Sequence, residues 1–267
     1  MKRSQHHRKP HRFKRKKPIL RNRFFWRGIF ILIFIISLFY FLFLSEIFQV
    51  KKINITGLEK ISEQDIRIIA EKNLETKLLF FRTKSIFLAS PAKIKNQLSG
   101  VFPKITELKV SRRLFGTINI VATERKSLAV WCQQEKCYSL DKEGVIFEEN
   151  QRAENFINIS DEKNTKSFSL GEKVIEKDEL DNIFKIQKNL NDQIKTETND
   201  FIILNDRLTA KTAEGWEIYF NQAGDIDWQL TKLSAVLEEK IPSEKRKGLE
   251  YIELRFGNLA PFKYRVP

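Results

Sequence analysis

The chain has 267 residues, of which 48 are Lys or Arg and 34 are Asp or Glu, so its formal net charge is +14. Twelve of the basic residues and none of the acidic residues precede Ile29, which leaves 36 basic against 34 acidic residues in the rest. The charge therefore does not indicate a nucleic-acid-binding domain after the first segment. All three histidines lie at positions 6, 7 and 11, so we expect no His-based nucleophile, general base or zinc site in the later chain.

The first 26 residues form a basic segment with two prolines and few apolar side chains. Such a composition cannot bury enough apolar surface to fold, so we expect residues 1–26 to be a disordered cytoplasmic tail. Its simplest role is to set membrane topology and to attract anionic headgroups, at about 1 kcal/mol per charge near the surface.

An apolar run follows the tail. From Ile29 to Leu44, only Ser37 and Tyr40 carry a polar side-chain atom. With its apolar neighbours the run reaches about 20 residues, or roughly 30 Å as a helix, which matches a bilayer core. We predict a transmembrane helix over residues 27–46, with the basic side cytoplasmic and the rest outside. A cleaved signal peptide is the alternative, but the run is longer than its apolar region and no small-x-small site follows.

Residues 47–126 predict the order strand, helix, helix, strand, strand. Alternating apolar residues from Phe48 end at Gly57, which indicates a strand. Ser62 begins a helix with Ile66, Ile69, Ala70 and Leu74 on one face. Ser90 and Pro91 begin a second helix, which we expect to end at Gly100 with Val101 and Phe102 extending its apolar face. The remaining predictions are a loop or short extended piece at 78–87, strands at 105–114 and 117–125, and a turn at Gly116 between those strands.

This order, directly after a basic-flanked apolar run, resembles a POTRA domain. VKKINITGLEKISEQDI and FPKITELKVSRRLFGTINIVATERKSLAV resemble segments of the FtsQ/DivIB cell-division family. The second match rests on Pro103, Val110, Arg112, Ile118, Ile120, Glu124, Arg125 and Ala129. Phe115 and Ser127 stand where the family often has prolines. Those prolines shape turns, so we expect the fold to tolerate the difference.

Residues 127–267 predict a mixed β domain with two packing helices, which makes the whole chain α+β. The helices are expected at 176–194 and from Asp225 to about Pro242, each with one apolar face. The second could present that face to a partner, but packing on a sheet is the more usual role. Strands are expected at 128–132, 137–140, 145–147, 156–160, 201–204, 208–212, 216–220, 251–256 and 262–266. SLDKEGVIF and YIELRFG resemble segments of the same family.

Cys132 and Cys137 are the two cysteines of the chain, with four residues between them. This spacing suits a hairpin, and oxidation is permitted outside the cytoplasm. A cross-strand disulfide and two free thiols both remain open, since the bond requires Cα atoms within about 7 Å. Two cysteines alone make a poor metal site, so we expect no metal and no other cofactor.

The resemblance implies a non-enzymatic scaffold with one span in the cell (inner) membrane at the division septum. It implies binding to FtsL-like and FtsB/DivIC-like single-span proteins, coupling of divisome assembly to septal cell-wall synthesis, and no nucleic-acid or small-molecule ligand. The family places its main partner surface near the end of the β domain. There a late strand at a sheet edge would offer Tyr251 and Phe262 as aromatic anchors, with Glu253 and Arg255 as charged residues. These aromatics could equally be ordinary sheet residues.

Two rival functions remain open. A POTRA-bearing membrane-assembly or secretion factor would need a β-barrel or further POTRA repeats, for which we find no pattern in the 267 residues. A membrane-anchored cell-wall enzyme would need a nucleophile or metal constellation, and the lack of histidine after position 11 weighs against it.

Overall fold

The computed structural model describes residues 23–78, 80–153, 155–163, 166–205 and 207–266. Most of the predicted disordered tail lies outside the described residues, but its last four residues are helical. They begin helix α1, Arg23–Phe43, whose 21 residues are about 31 Å long and bury no side chain in the protein. The helix starts earlier than predicted, at Arg23. It also ends earlier, because Ser45 caps a separate 3₁₀ turn, Glu46–Phe48, by accepting a hydrogen bond from Ile47 N.

A three-stranded sheet with two helices follows, in the predicted order. Its strands lie in the order β1, β5, β4, with β1 parallel and β4 antiparallel to β5. A short hairpin, β2–β3, occupies the segment predicted as a loop or extended piece. The bounds are β1 Lys52–Thr56, α2 Glu63–Leu74, β2 Thr76–Leu78, β3 Phe81–Thr83, α3 Pro91–Val101, β4 Ile105–Arg113 and β5 Thr117–Glu124.

The core of this unit forms where α2 and α3 pack on the sheet. Ile66, Ile94 and Leu98 are fully buried against Ile118 and Ile120. Such spacing places apolar residues on one helical face, so the predicted faces are confirmed at these positions.

The predicted end of α3 is wrong in two respects. Gly100 is helical rather than the residue after the helix, and Phe102 caps the end through its N–H to Leu98 O. Val101 is 54% exposed, because the helix ends there and no neighbouring element covers its side chain. The prediction that Val101 belongs to the buried apolar face of α3 is therefore wrong.

The rest of the chain builds a nine-stranded mixed sheet with two helices, as predicted. The strand order is β14, β13, β12, β11, β10, β9, β6, β7, β8. The bounds are β6 Ala129–Gln133, β7 Lys136–Leu140, β8 Ile146–Asn150, β9 Ile157–Asp161, α4 Lys177–Asn189, β10 Asp200–Leu204, β11 Arg207–Lys211, β12 Glu217–Asn221, α5 Ile226–Glu239, β13 Leu249–Glu253 and β14 Phe262–Tyr264. A π-helical turn, Leu190–Ile194, completes α4, and a 3₁₀ turn, Ser243–Gly248, precedes β13.

The two helices are explained by the parallel strand pairs. Strand β9 is parallel to β10, and β12 is parallel to β13. Parallel neighbours require a crossover of a dozen or more residues, usually a helix. Helix α4 lies in the first crossover and α5 in the second, and their apolar faces pack on the sheet in one continuous core. That core includes Leu180, Ile183, Ile186, Leu230, Leu233 and Leu237.

Glu124 and Arg125, two residues that carry the family resemblance, hold chain segments together. The Glu124 carboxylate accepts hydrogen bonds from the N–H groups of residues 59–61. Burial raises the pKa of Glu124, but these backbone donors lower it by more, so its net pKa lies below the usual value. Arg125 pairs with the Asp141 carboxylate and donates from Nε to Pro103 O at 2.9 Å. Arg125 thus joins the small sheet to the turn before β8.

Candidate partner-binding edge of the large sheet

Strand β14 forms one end of the nine-stranded sheet. It pairs with β13 through Tyr251 opposite Lys263 and Ile252 opposite Phe262. On its other side no strand pairs with it among the described residues. The predicted late strand, β13, is therefore an inner strand, and the edge belongs to β14.

The backbone of β14 has groups directed away from β13. Pro261 O accepts a hydrogen bond from Glu253 N at 2.8 Å, and Arg265 N donates to Gly248 O at 2.9 Å. Alternate residues of an antiparallel strand direct their N–H and C=O groups to opposite sides. Phe262 and Tyr264 consequently direct theirs outward, where another strand could pair with them.

Apolar side chains are exposed on β14 and in the chain segments that directly precede and follow it. The rings of Phe262 and Tyr264 are 5.8 Å apart in an edge-to-face arrangement. Leu259 is 69% exposed and Val266 is 82% exposed, and Phe256 is also exposed. We call these five side chains the edge patch. A cluster of exposed apolar groups at an unpaired strand is typical of a protein-binding surface.

Tyr251 lies on the opposite face of the sheet from Phe262. Because Tyr251 pairs with Lys263 and its neighbour Ile252 pairs with Phe262, the two aromatic rings alternate in direction. The Tyr251 ring stacks on Tyr219 at 5.2 Å. The two predicted aromatic anchors therefore lie on neighbouring strands but do not form one continuous surface.

Tyr219 extends the aromatic row away from the edge. The Arg207 guanidinium lies 4.4 Å from the centre of the Tyr219 ring, and the Tyr219 hydroxyl donates to Glu217 at 2.9 Å. Burial, followed by the hydrogen bond to Glu217, raises the pKa of Tyr219 to about 12. The hydroxyl therefore stays protonated at neutral pH and keeps this bond.

Glu253 and Arg255 bind each other. Arg255 donates from Nε and Nη2 to the two carboxylate oxygens of Glu253, each at 2.9 Å, and its N–H donates to Oε1 at 3.1 Å. Glu253 is buried. Such a bidentate pair fixes the chain as it leaves β13. This geometry assigns the pair a structural role, while partner contact by either residue stays a prediction.

The residues that match a known family lie before this sheet. Residues 48–125 match the family model described as POTRA domain, FtsQ-type. The chain carries an FtsQ-type POTRA domain. This confirms the resemblance predicted from the sequence, and together with α1 it is consistent with an FtsQ/DivIB-like protein. The comparison with curated proteins gives no match.

The match supports a cell-division-related POTRA protein. Helix α1 is long and apolar enough to cross a membrane, and it is the one candidate span within the described residues. The FtsQ-type domain and this helix together suggest a single-pass membrane protein that acts through protein–protein interaction in division.

Sequence reasoning missed Lys232 of α5. Its ammonium group is buried in the β domain and donates to Leu254 O at 2.6 Å, Gly257 O at 2.8 Å and Leu259 O at 3.3 Å. Burial lowers the pKa of Lys232, and the Glu253 carboxylate opposes that change. Lys232 thereby holds the loop that leads into β14. A lone Lys among the buried positions of α5 was the only signal in the sequence.

Cys132 and Cys137 face each other across the β6–β7 hairpin. Their Cα atoms are 4.0 Å apart, and the structure contains the disulfide. Of the two alternatives left open by the spacing, the bonded form is present. The bond joins β6 to β7, and β7 is the neighbour of the edge strand β8.

Proposed function

We propose that this protein is a non-enzymatic, bitopic division scaffold that binds other single-span division proteins through the open edge at β14. Residues 1–26 would be cytoplasmic. The POTRA domain, 47–126, and the β domain, 127–267, would lie outside the cell (inner) membrane at the septum. The proposal is carried by an apolar strand edge, with which no other described strand pairs, in a chain with an FtsQ-type POTRA domain.

Strand addition is the binding mode that this edge favours. A partner strand beside β14 would pair with the outward backbone groups of Phe262 and Tyr264. Its side chains would alternate between the two faces of the sheet. On one face they would meet the Phe262 and Tyr264 rings, and on the other they would meet Lys263, with Tyr251 one strand further in. The residues predicted as a single cluster would thus serve the two faces of one edge.

Measurable affinity for a partner strand requires burial of the edge patch as well as backbone hydrogen bonds. Strand β14 has three residues, so an added strand gains about four hydrogen bonds, each with a net value of about 1 kcal/mol. Four such bonds alone correspond to a dissociation constant of about 1 mM, before the entropic cost of association. Burial of the exposed aromatic and aliphatic side chains must supply the remaining affinity, at about 25 cal/mol per Å².

Small single-span proteins of the FtsL-like and FtsB/DivIC-like kinds are the proposed partners. Their binding would couple divisome assembly to septal cell-wall synthesis. The proposal needs no cofactor, nucleic acid or small-molecule substrate.

The test is a pull-down of the full-length protein from membranes, with mass spectrometry of what co-purifies. Phe262→Asp places a charge in the edge patch, and Tyr264→Pro removes an outward N–H without removing a bond to β13. Glu149→Lys, on the exposed part of the opposite edge strand β8, is the control. We expect recovery of small single-span proteins with coiled-coil ectodomains, a loss of about 30-fold in affinity for Phe262→Asp, and no change for the control.

Unchanged recovery with both β14 variants, while the proteins remain folded, would rule out this edge as the binding site. Recovery of an outer-membrane barrel or a secretion channel without small single-span proteins would instead favour a membrane-assembly or secretion factor.

A further inference from the structure

The last turn of α1 is bonded directly to the POTRA domain. Phe43 O accepts hydrogen bonds from Thr83 Oγ1 at 2.6 Å and from Gln49 Nε2 at 3.2 Å, and Leu42 O accepts one from Ser85 Oγ at 3.0 Å. The final carbonyl groups of a helix have no partners within the helix. Side chains of the domain therefore complete the end of α1, and the domain begins without a free linker.

Aromatic rings continue from α1 into the domain. The Phe41 ring lies 5.4 Å from the Phe48 ring, and Phe48 contacts Phe87 at 5.2 Å and Phe115 at 6.4 Å. Phe87 also contacts Phe43 at 6.5 Å. The apolar surface of the helix and that of the domain are thus one continuous surface at this junction.

Two loops beside the junction expose large apolar side chains. Phe80 and Phe81 belong to the β2–β3 hairpin, and Phe80 is 93% exposed. Leu114 and Phe115 form the β4–β5 turn, and Phe115 is 73% exposed. The same turn accepts hydrogen bonds at Gly116 O from the N–H groups of residues 51 and 52, so it lies beside the chain that leaves α1. With Phe87, these four residues form what we call the junction face.

Basic side chains accompany the junction face. The exposed Lys and Arg residues of these segments are Lys51, Lys52, Lys77, Arg82 and Arg113. Two acidic residues lie in the same segments: Glu75, which is paired with Lys84 at 3.4 Å, and the exposed Glu46 of the 3₁₀ turn, so the basic residues outnumber them. Aromatic and aliphatic side chains beside a cluster of positive charge are typical of surfaces that enter the headgroup region of an anionic bilayer.

The depth of the junction follows from the length of α1. A helix of about 31 Å matches the hydrocarbon core, so its terminal carbonyls at Leu42 and Phe43 lie at the headgroup level. Groups bonded to those carbonyls lie at the same level. Phe80 is three residues from Thr83, within about 10 Å of it even in a fully extended chain.

We propose that the junction face inserts into the outer headgroup region of the bilayer that α1 spans, and so holds the POTRA domain against the lipid. This site is separate from the β14 edge, and it rests on the proposal that α1 spans the membrane. Its ligand is the anionic bilayer surface, recognised by aromatic insertion and by the adjacent Lys and Arg side chains.

Spin-label depth measurements on the full-length protein test this directly. The protein is placed, one chain per disc, in nanodiscs of phosphatidylcholine with phosphatidylglycerol. The native cysteines are bonded to each other, so an introduced Cys provides the labelling site. Labels are placed with Phe80→Cys and Leu114→Cys. Val101→Cys is the matched control, since Val101 is an exposed apolar residue of the same domain at the far end of α3. Tyr40→Cys reports on the span itself.

We expect labels at positions 80 and 114 to be several-fold more accessible to oxygen than to a water-soluble nickel complex, and the label at 101 to show the reverse. Adding Phe81→Ser and Phe115→Ser should move the label at 114 toward water. Water-like accessibility at both 80 and 114, with a lipid-buried label at 40, would overturn the docking proposal alone. A water-exposed label at 40 would overturn the span, and the docking with it.

Discussion

The two edges of the nine-stranded sheet differ in how far the rest of the chain covers them. At one edge, the chain covers the start of β8: Ile146 N donates to Glu172 O at 3.0 Å, and Gly171 N donates to Ile146 O at 2.7 Å. Lys104 reaches from the POTRA domain to Glu148 at 2.6 Å. At the other edge, β14 has no such cover among the described residues, and its two aromatic rings are partly exposed.

This difference bears on which edge of the sheet could accept another strand. Charged residues, short strands and covering segments are the usual protection of an edge against other strands. Strand β8 has charge at Glu148 and Glu149 and a covering segment. Strand β14 is short and carries Lys263, which is paired with Glu250 at 2.7 Å, but its other two side chains belong to the apolar edge patch. The covering segment hinders strand pairing at β8, whereas the partner strand proposed above would pair with β14.

Removing the Lys232 hydrogen bonds that hold the loop before β14 should have the largest effect on stability. In Lys232→Met, three carbonyls lose a charged donor in a buried place, so we expect the free energy of unfolding to fall by about 3 kcal/mol. Denaturant unfolding measures that loss. Amide exchange should accelerate in β14 and stay unchanged in β8.

The control for this experiment is Lys240→Met, at the exposed end of α5, which should change stability by less than about 0.5 kcal/mol. If Lys232→Met unfolds like the wild type and β14 exchanges at the same rate, Lys232 does not hold the loop.

Removing the disulfide should loosen the protected side of the sheet. The bond joins residues five apart, and a loop of about six residues implies about 2 kcal/mol of stability. Cys132→Ala with Cys137→Ala should therefore lower the free energy of unfolding by about that amount and accelerate amide exchange in β7 and β8. Partner recovery through β14 should not change. Treatment of the wild type with a reductant should reproduce the effect, and equal stability in all three samples would contradict it.

Removing the Glu149 charge from β8 should have the smallest effect on stability. Glu149→Ile takes away an exposed charge near the end of that edge strand, so we expect stability within about 0.5 kcal/mol of the wild type. Self-association should increase, because an apolar edge pairs with other strands. Light scattering against protein concentration measures this. Glu71→Ile on the exposed face of α2 is the control, and equal scattering by both variants would mean that charge at residue 149 does not protect the edge.

Much of the fold follows from residue spacing. The apolar positions of α2, α4 and α5 predicted which faces are buried, because helical periodicity is a local property. The turn at Gly116 was also predicted, and the structure adds its reason: φ is +82°, and a Cβ there would lie 2.1 Å from Gln49 O. Phe115 has φ +68°, which proline cannot adopt, so a proline at this position would not fit the turn that this chain forms.

The candidate site was less predictable, because it depends on contacts between distant segments. Alternation indicated a strand at Tyr251, but only the strand order shows that β14 forms the edge. The opposite directions of Tyr251 and Phe262 depend on a register shift between Leu249 and Tyr251. The carbonyls that bind Lys232 lie more than 20 residues away, and no local pattern places them there.

The bonds between α1 and the POTRA domain have a consequence for the geometry of assembly. Thr83, Ser85 and Gln49 donate hydrogen bonds to the last carbonyls of α1, where the chain emerges from the helix. Arg125 and Lys104 form ion pairs between the POTRA domain and the β domain. If α1 spans the membrane as proposed, these bonds favour one distance between the open edge and the membrane end of α1. A partner anchored by its own helix must carry its strand to that distance, and a helical stalk seven residues too long or too short would miss by about 10 Å.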